Sequence, residues 1–265
     1  MAVSEKLTEA GHEILWVGSE GGMEATLVRR KDIPFKAIPA AGLHGISISK
    51  VPGNLMKLVR GYKASRQIIK EFKPDAMLYS GGYIAAPMAL AARGIKSLVY
   101  VPDLEPGLAL KYISKMATKI AVSVEETKRF FNDPEKVEVS GYPLRKSFTK
   151  WNKEDGINFF KFENSRPILL FLGGSLGARS INTALANNAE ELIQDFNIIH
   201  ITGMLDWDMV WEKTKHLGGN YVAFNYLHEI GPAEAAADLV ISRAGASCLG
   251  EYPYMGLPAI LVPYP

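Results

Sequence analysis

The stretch FLGGSLGAR at 171–179 carries the clearest chemical signal in the sequence. An apolar run from Ile168 to Leu172 predicts a buried strand, and a helical pattern follows the glycines. Free backbone N–H groups and the positive end of the helix dipole meet where such a loop opens a helix. The pattern therefore favours a phosphate site with Gly174 and Ser175 as contacts. A tight turn without a ligand is the alternative, since the loop matches neither a Walker A loop nor a dinucleotide fingerprint.

A second stretch, SRAGASCLGE at 242–251, repeats this arrangement and adds a carboxylate. Gly245, Ala246 and Ser247 open a predicted helix, and Glu251 follows one turn later on nearly the same face. A helix N-terminus can hold a diphosphate, while a carboxylate one turn further in can accept hydrogen bonds from sugar hydroxyls. This combination favours a nucleotide. The alternative is a solvated helix glutamate.

The first half of the chain has a similar turn in SGGYIAAP at 80–87. Gly81, Gly82 and Tyr83 follow a predicted strand, and a helix of small residues begins near Ala86 and Pro87. The turn could face a ligand, or its small residues could simply allow a helix to pack closely on a sheet.

The elements that must position these turns alternate between short apolar strands and helices. This alternation predicts an α/β fold with parallel sheets covered on both faces, in two Rossmann-like domains. Ligands are expected between the carboxyl ends of the two sheets. The strand candidates are residues 13–17, 35–39, 76–79, 97–101, 119–122, 137–139, 168–171, 197–201, 221–224, 239–242 and 259–262.

The domain boundary is predicted in a polar stretch without a strand pattern. We expect a first domain at 1–147, a linker at 148–166 and a second domain at 167–265. The chain opens on the tail of a helix and stops after the buried strand AILVPYP. It is therefore expected to be a fragment of a longer protein, incomplete at both ends.

Composition excludes several classes of protein. Among 265 residues the net charge is +2, so the whole molecule is not a nucleic-acid binder. Cys248 is the one cysteine, which excludes a disulfide framework. No apolar run reaches the ~18 residues of a membrane span.

The histidines and one acidic motif give little sign of a metal site. The five histidines have no metal-ligand spacing, and His200, inside an apolar strand, is expected to be a hydrogen-bonded core residue. Asp206 and Asp208 form an Asp-x-Asp pattern, but it does not follow a strand directly, and we expect it at the surface.

A basic helix is predicted within 50–73. Leu55, Leu58, Tyr62 and Ile69 share one face of the helical wheel. The opposite half holds Met56, Val59 and five cations, a combination typical of contact with anionic lipid. A merely solvated basic helix is the alternative. The five cations are Lys57, Arg60, Lys63, Arg66 and Lys70.

The sequence resembles the MurG-type glycosyltransferases in several motifs, which occur in the same order over essentially the whole chain. These motifs are GGSLGAR, SGGYIAAP, YPLR at 142–145, SRAGASCLGE and GLPAILVPYP. The resemblance implies the two-domain GT-B fold. It also implies transfer of N-acetylglucosamine from its UDP sugar to undecaprenyl-pyrophosphoryl-N-acetylmuramyl-pentapeptide, converting lipid I to lipid II for the cell wall. An enzyme of this family is expected at the cytoplasmic face of the plasma membrane, on the anionic inner-membrane surface.

The resemblance also implies roles for single residues. Arg145, Gly174 and Ser175 would lie near the donor diphosphate, and the helix start at Gly245, Ala246 and Ser247 would contact phosphate and sugar. Glu251 would bind the ribose, and Leu227 would lie in the loop whose backbone reads uracil. No metal or other cofactor is expected, because inverting transferases of this fold neutralise the leaving UDP with backbone donors and a helix dipole.

On the acceptor side the resemblance points to Gly81, Gly82, Tyr83 and Asp103, with His44 as a further candidate contact. The sequence departs from the family here. Nothing matches the family's GGTGGH loop, which carries a candidate catalytic histidine, so the catalytic base is unassigned. Tyr100-Val101-Pro102-Asp103 stands where the family usually has HEQN.

These departures leave three hypotheses. The first is a muramyl-peptide transferase whose chain, as it stands, does not turn over. The second is a transferase of the same fold for another lipid acceptor, such as a diacylglycerol, which Asp103 favours. The third is a non-catalytic subunit that anchors a partner at the membrane, which the absent first loop favours.

Overall fold

Alternating strands and helices form two units in the computed structural model, Met1–Pro143 and Leu144–Pro265. The structure describes residues 1–19, 25, 28–41, 47, 51–146, 148–162, 165–174 and 176–264. Every predicted strand is present. The largest difference in bounds is in the first strand, predicted at 13–17 and observed at Trp16–Ser19.

Unit 1 contains two parallel sheets that share one apolar core. One sheet pairs β1 with β2, and the other has the order β3-β4-β5-β6. Ile38, Val99 and Val122 are fully buried in the core. The elements are α1 Ala2–Glu9, β1 Trp16–Ser19, β2 Phe35–Ile38, α2 Val51–Phe72, β3 Ala76–Tyr79, α3 Ala85–Ala91, β4 Lys96–Val101, α4 Leu108–Ser114, β5 Lys119–Val122 and β6 Val137–Val139.

Helix α2 buries only part of the face that the helical wheel indicates, since Leu58 and Ile69 are partly buried and Ile69 packs against the core. Gly61, Ser65 and Ile68 are buried, whereas Leu55 and Tyr62 of the predicted apolar face are 54% and 38% exposed. Small residues decide the orientation, because they let the helix approach its neighbours closely. The expectation that Leu55 and Tyr62 face away from the solvated, basic side is therefore wrong.

Unit 2 is built on one five-stranded parallel sheet with the order β11-β10-β7-β8-β9. Strands β7 and β8 are almost entirely buried; β7 is a continuous apolar run, and β8 also buries the polar residues Asn197 and His200. The elements are α5 Lys153–Phe160, β7 Ile168–Leu172, α6 Arg179–Leu192, β8 Asn197–Ile201, α7 Trp207–Thr214, β9 Tyr221–Phe224, α8 Gly231–Ala236, β10 Leu239–Arg243, α9 Cys248–Met255 and β11 Ala259–Val262.

The strand order of unit 2 creates a topological switch point. The chain moves from β7 to β8 on one side of β7 and later returns to place β10 on its other side. In open α/β sheets, ligands bind at such a point, outside the carboxyl ends of the strands. The two glycine-rich turns of the second half both start there. The structure therefore confirms the predicted α/β architecture with parallel sheets.

The segment predicted as a linker belongs to unit 2. Residues 148–166 contain helix α5, whose N-cap Asn152 accepts a hydrogen bond from the backbone N–H of Asp155. Gly156 lies against α8 so closely that a Cβ atom there would be 2.6 Å from the carbonyl oxygen of Pro232. The polar surface of this short helix hid it in the sequence, and the unit boundary falls instead between Pro143 and Leu144.

Two glycines of α2 offer a matched test of the packing in unit 1. A Cβ atom on Gly61 would lie 2.3 Å from the carbonyl oxygen of Pro39, whereas one on Gly53 would meet nothing within 4 Å. We predict that Gly61→Ala destabilises the protein by about 1–3 kcal/mol through overpacking. Gly53→Ala should stabilise it by about 0.5–1 kcal/mol, since alanine favours a helix. Urea unfolding measures both, and equal effects would contradict the contact.

Candidate functional site

Two turns lie side by side at the carboxyl ends of β7 and β10. The strands are parallel neighbours, with Leu172 opposite Ser242. The guanidinium Nη2 of Arg243, at the end of β10, donates a 3.0 Å hydrogen bond to the hydroxyl of Ser180 in the first turn of α6. The start of α6 and the end of β10 are thus tied together at the switch point.

The first turn has a shape that only glycine allows. Gly174 and Gly177 adopt φ values of +84° and +94°. A Cβ atom on Gly177 would lie 2.3 Å from the carbonyl oxygen of Thr202, which follows β8. Gly174 is exposed, as a phosphate contact requires, whereas Ser175 lies outside the described residues.

A buried polar network supports this turn. The Nε2–H group of His200 donates to Oδ1 of Asn182 at 3.0 Å, and Nδ1 accepts from the Tyr221 hydroxyl at 2.6 Å. Nδ2 of Asn182 donates to the Thr202 carbonyl and to Asp206. Burial lowers the pKa of His200 to about 3, so the ring is neutral at physiological pH. The prediction that His200 is a hydrogen-bonded core residue is confirmed.

Asp206 contradicts the sequence-based prediction of a surface position. Its side chain is 3% exposed and accepts hydrogen bonds from Asn182 at 3.0 Å and from Nε of Arg179 at 2.8 Å. Arg179, the first residue of α6, is held by this carboxylate while most of its own side chain stays exposed. The Asp-x-Asp pattern therefore marks a structural ion pair.

The second turn brings a carboxylate to the switch point. Gly245 is exposed, Ala246 and Ser247 are partly buried, and α9 begins at Cys248, whose thiol donates to the carbonyl oxygen of Arg243 at 3.2 Å. The backbone N–H of Glu251 donates to the carbonyl oxygen of Ser247.

The Glu251 side chain is only 14% exposed. Burial raises the pKa of its carboxyl group, against the opposing effects of the positive charge of Arg145 and of a hydrogen bond from Ser247.

Arg145 reaches this carboxylate from a loop. Its Nη2 atom is 4.0 Å from Oε1 of Glu251, and its side chain is 43% exposed. The sequence assigns Arg145 to the first domain, but it lies in unit 2. The structure thus brings Arg145 and Glu251, two of the predicted donor residues, together in one unit.

Sequence reasoning missed Glu234. This carboxyl group on α8 is 2% exposed, and its Oε2 atom has no hydrogen-bond partner among the described residues. Burial raises its pKa to about 9, with a further contribution from the negative charge of Glu251 and an opposing one from Arg145. An available signal was a single acid in the alanine-rich run GPAEAA, where the neighbouring positions are apolar.

The remaining donor candidate, Leu227, is partly buried and packs against the core of unit 2. It follows β9, at the same end of the sheet as the two turns. In the same loop the rings of Tyr226 and His228 make an edge-on contact with centroids 5.0 Å apart. Leu227 therefore anchors this loop to the core of unit 2 and leaves the loop backbone at the carboxyl end of the sheet.

The acceptor-side candidates lie in unit 1. Gly81 and Gly82 adopt φ values of +126° and +80° after β3, so the predicted turn requires glycine. Tyr83 and Asp103 are exposed. His44 lies outside the described residues.

Neither a membrane-spanning helix nor a metal-binding cluster is present among the described residues. No helix there is long and apolar enough to cross a membrane. No group of three or more His, Cys, Asp or Glu side chains within that part of the chain is arranged to hold a metal ion.

The switch-point groups suit a nucleoside diphosphate. Two helix starts supply backbone donors for phosphate. Arg145 adds positive charge, and Glu251 can accept hydrogen bonds from vicinal hydroxyls.

Comparisons with known proteins agree with this chemistry. Models of the glycosyltransferase family 28 N-terminal and C-terminal domains match residues 1–122 and 168–265. The crystal structure of Acinetobacter baumannii MurG has a TM-score of 0.71 at 24% identity, covering 100% of this chain and 73% of that one. A UDP-GlcNAc 2-epimerase from Neisseria meningitidis shares the fold at TM-score 0.69 and 14% identity, covering 98% of this chain and 77% of that one. The fold is that of a GT-B glycosyltransferase.

Curated relatives identify the family. The UDP-N-acetylglucosamine–N-acetylmuramyl-(pentapeptide) pyrophosphoryl-undecaprenol N-acetylglucosamine transferase of Desulforamulus reducens is 35% identical, over 96% of this chain and 71% of that protein. The protein of the same name from Chlorobaculum tepidum is 35% identical, over 100% of this chain and 74% of that protein. The chain belongs to this family of N-acetylglucosamine transferases, as the resemblance predicts.

The buried carboxyl group of Glu234 predicts a pH-dependent stability. The folded chain keeps the Glu234 proton up to a pH of about 9, whereas an unfolded chain loses it near the ordinary value of 4.5. Folding therefore takes up a proton between these values, and stability falls by up to about 1.4 kcal/mol per pH unit. Glu234→Gln should remove this slope. The free energy of unfolding of Glu234→Gln minus that of wild type should therefore increase by up to about 3 kcal/mol from pH 5.5 to 8.

Urea unfolding at several pH values measures this difference. Glu212→Gln, an exposed glutamate on α7, is the matched control and should follow wild type. A Glu234→Gln curve parallel to wild type across this range would show that Glu234 is ionised in the folded protein.

Proposed function

We propose that this chain transfers N-acetylglucosamine from UDP-N-acetylglucosamine to a lipid-linked muramyl-peptide acceptor, the reaction named for its relatives. The observation that carries the proposal is the pair of turns at the switch point, with Glu251 one turn into α9 and Arg145 beside it. This set of groups suits the UDP part of the donor.

In this proposal the donor lies across the starts of α6 and α9. The diphosphate meets the backbone of the two turns at Gly174, Ser175, Gly245, Ala246 and Ser247. The N–H of Gly245 already donates to the carbonyl oxygen of Arg243, so Ala246 and Ser247, directly before α9, supply the donors of the second turn. The N-terminus of a helix stabilises negative charge. The positive charge of Arg145 strengthens the same interaction.

Glu251 accepts hydrogen bonds from the ribose hydroxyls. Its pKa is raised by burial, so contact with hydroxyl groups compensates for lost hydration. Leu227 holds the loop whose backbone meets uracil. The donor fixed in this way exposes its anomeric carbon to an acceptor hydroxyl.

The chemical step is an inverting substitution. An acceptor hydroxyl attacks the anomeric carbon from the face opposite UDP, the bond to UDP breaks, and the hydroxyl proton passes to a base. Stabilisation of the leaving diphosphate at the helix starts lowers the barrier. The acceptor groups proposed on unit 1 are Gly81, Gly82, Tyr83, Asp103 and His44.

One observation favours a second acceptor class. Asp103 is an exposed carboxylate where an asparagine is usual, and it would add negative charge near an acceptor pyrophosphate. A neutral lipid alcohol such as a diacylglycerol avoids that repulsion. Release of UDP from UDP-N-acetylglucosamine, assayed with each acceptor class in parallel, separates the two.

The exposed side of α2 supports a place at a membrane surface. Leu55, Met56 and Val59 are 54%, 55% and 46% exposed and lie among the basic residues. Glu71 is the one acid in this helix, and Lys36 neutralises it. Apolar side chains among cations fit an anionic bilayer, at roughly 1 kcal/mol per cation near the surface. We propose the cytoplasmic face of the plasma membrane as the location.

Glu251 gives the test of the donor site. We predict that Glu251→Ala weakens UDP binding by about 1.5–3 kcal/mol, the range for hydrogen bonds to a charged group. Calorimetry with UDP and with UDP-N-acetylglucosamine measures it, and Glu212→Ala is the control. Unchanged affinity in a folded Glu251 variant would remove this residue from the site.

The basic face gives the test of membrane association. We predict that wild type binds vesicles containing anionic lipid, and that binding weakens as salt screens the charges over about 8–10 Å. Reversing Lys57, Arg60 and Lys63 to glutamate should abolish binding. Reversing Lys150, Lys213 and Lys215, which are exposed on unit 2, should have a much smaller effect. Equal sedimentation with neutral vesicles would contradict an electrostatic surface.

A further inference from the structure

Glu234 is a buried acid on α8, a helix that contacts α9 of the candidate site. It is 2% exposed on α8, and its Oε2 atom has no hydrogen-bond partner among the described residues. A buried carboxyl oxygen without a partner destabilises the fold, and it does so much more when the group is ionised than when it is neutral. The position therefore needs an explanation beyond packing, since alanine occupies the neighbouring positions of α8.

The charges around Glu234 come from two neighbouring segments. Helix α9 presents Glu251 and Tyr252, and the loop before α5 presents Arg145. Tyr252 is neutral, because burial raises the pKa of its hydroxyl, which donates to Ser242 at 2.8 Å.

Helix α5 also packs against α8. Its charged residues Lys153, Glu154 and Asp155 are exposed, and Lys153 pairs with Asp238. Beside Arg145 there are thus two carboxyl groups whose pKa burial raises, Glu251 and Glu234, and Glu234 is the more deeply buried of the two.

We propose that Glu234 is a positioning residue for nucleotide binding, whose neutral carboxyl group leaves Arg145 free to meet the diphosphate and Glu251 free to meet the ribose. This inference rests on the proposed function, since it takes Arg145 and Glu251 as donor contacts. The role assigned to Glu234 is to leave the charges of Arg145 and Glu251 uncompensated by a second carboxylate.

The charge balance shows why neutrality matters. With Glu234 protonated, Arg145 and Glu251 carry opposite charges and sum to zero. Loss of the Glu234 proton would add a second carboxylate, which would compete for the guanidinium of Arg145 and repel the diphosphate. Because the pKa of Glu234 is raised to about 9, the site is in its binding form at neutral pH and loses it in alkaline solution.

UDP affinity between pH 6.5 and 9.5 tests the inference. If only the neutral form binds, the Kd of wild type for UDP should rise about fourfold by pH 9.5, because the neutral fraction of Glu234 falls to about a quarter. Glu234→Gln, which keeps the shape and cannot ionise, should match wild type at pH 7 and lack this fourfold rise. Because the uracil ring also loses a proton in alkaline solution, the quantity compared is the ratio of the two Kd values at each pH.

Further variants separate positioning from fold stability. Glu234→Asp keeps a titrating group and should retain an alkaline loss, whereas the control Glu212→Gln should follow wild type. A constant ratio of Kd values from pH 6.5 to 9.5 would overturn the inference. So would a Glu234→Gln protein with native circular dichroism and weakened UDP binding at pH 7. Failure of folded wild type to bind UDP at pH 7 would instead contradict the proposed function.

Discussion

Strand β7 occupies the central position in the sheet of unit 2, with β8 on one side and β10 on the other. Chain segments that leave its carboxyl end and that of β10 must turn at the same point before entering their helices. Everything placed at the candidate site follows from that geometry. Two helix starts converge, and Arg243 links them through Ser180. Residues from distant parts of the sequence become neighbours without a long loop.

Close approach of backbone to backbone is what keeps this geometry in place. Gly177 lies against the carbonyl of Thr202, and Asn182 donates to that same carbonyl. The network continues to His200 and Asp206, both buried and both hydrogen-bonded. Such groups would be unfavourable inside a protein if a partner were missing. Their hydrogen bonds fix the Thr202 carbonyl and the start of α6, against which Gly177 packs.

The sequence was a good guide to strands and a poorer guide to side-chain surroundings. Strands rich in apolar residues, such as ILLFL and NIIHI, are recognisable in the sequence, and their predicted bounds agree with the structure within one residue. Burial is less predictable, because the apolar run AILV of β11 is mostly exposed. The positions of the glycine turns and of Glu251 can be predicted from local spacing. The burial of Glu234 and Asp206 and the buried face of α2 cannot. Their surroundings depend on which helix packs where, and a single sequence does not contain that information.

The segment before β7 shows the same limit in another form. Helix α5 has eight residues, an exposed phenylalanine at 159 and a polar surface, so its periodicity is weak. The helix is stabilised by the close approach of Gly156 to α8, by the buried ring of Phe160 and by the Asn152 cap. Local pattern predicts an element when the element is long or continuously apolar. Short elements held by tertiary contacts become visible only in three dimensions.

The chain's one cysteine occupies an informative place in this arrangement. Cys248 is the first residue of α9, it is buried, and its thiol is held against the Arg243 carbonyl. Because the thiol is buried, a thiol reagent reacts with it faster when the first turn of α9 opens, so the reaction rate follows that local opening. The protein therefore carries a natural reporter of local stability at the second turn of the candidate site. No label needs to be introduced to follow it.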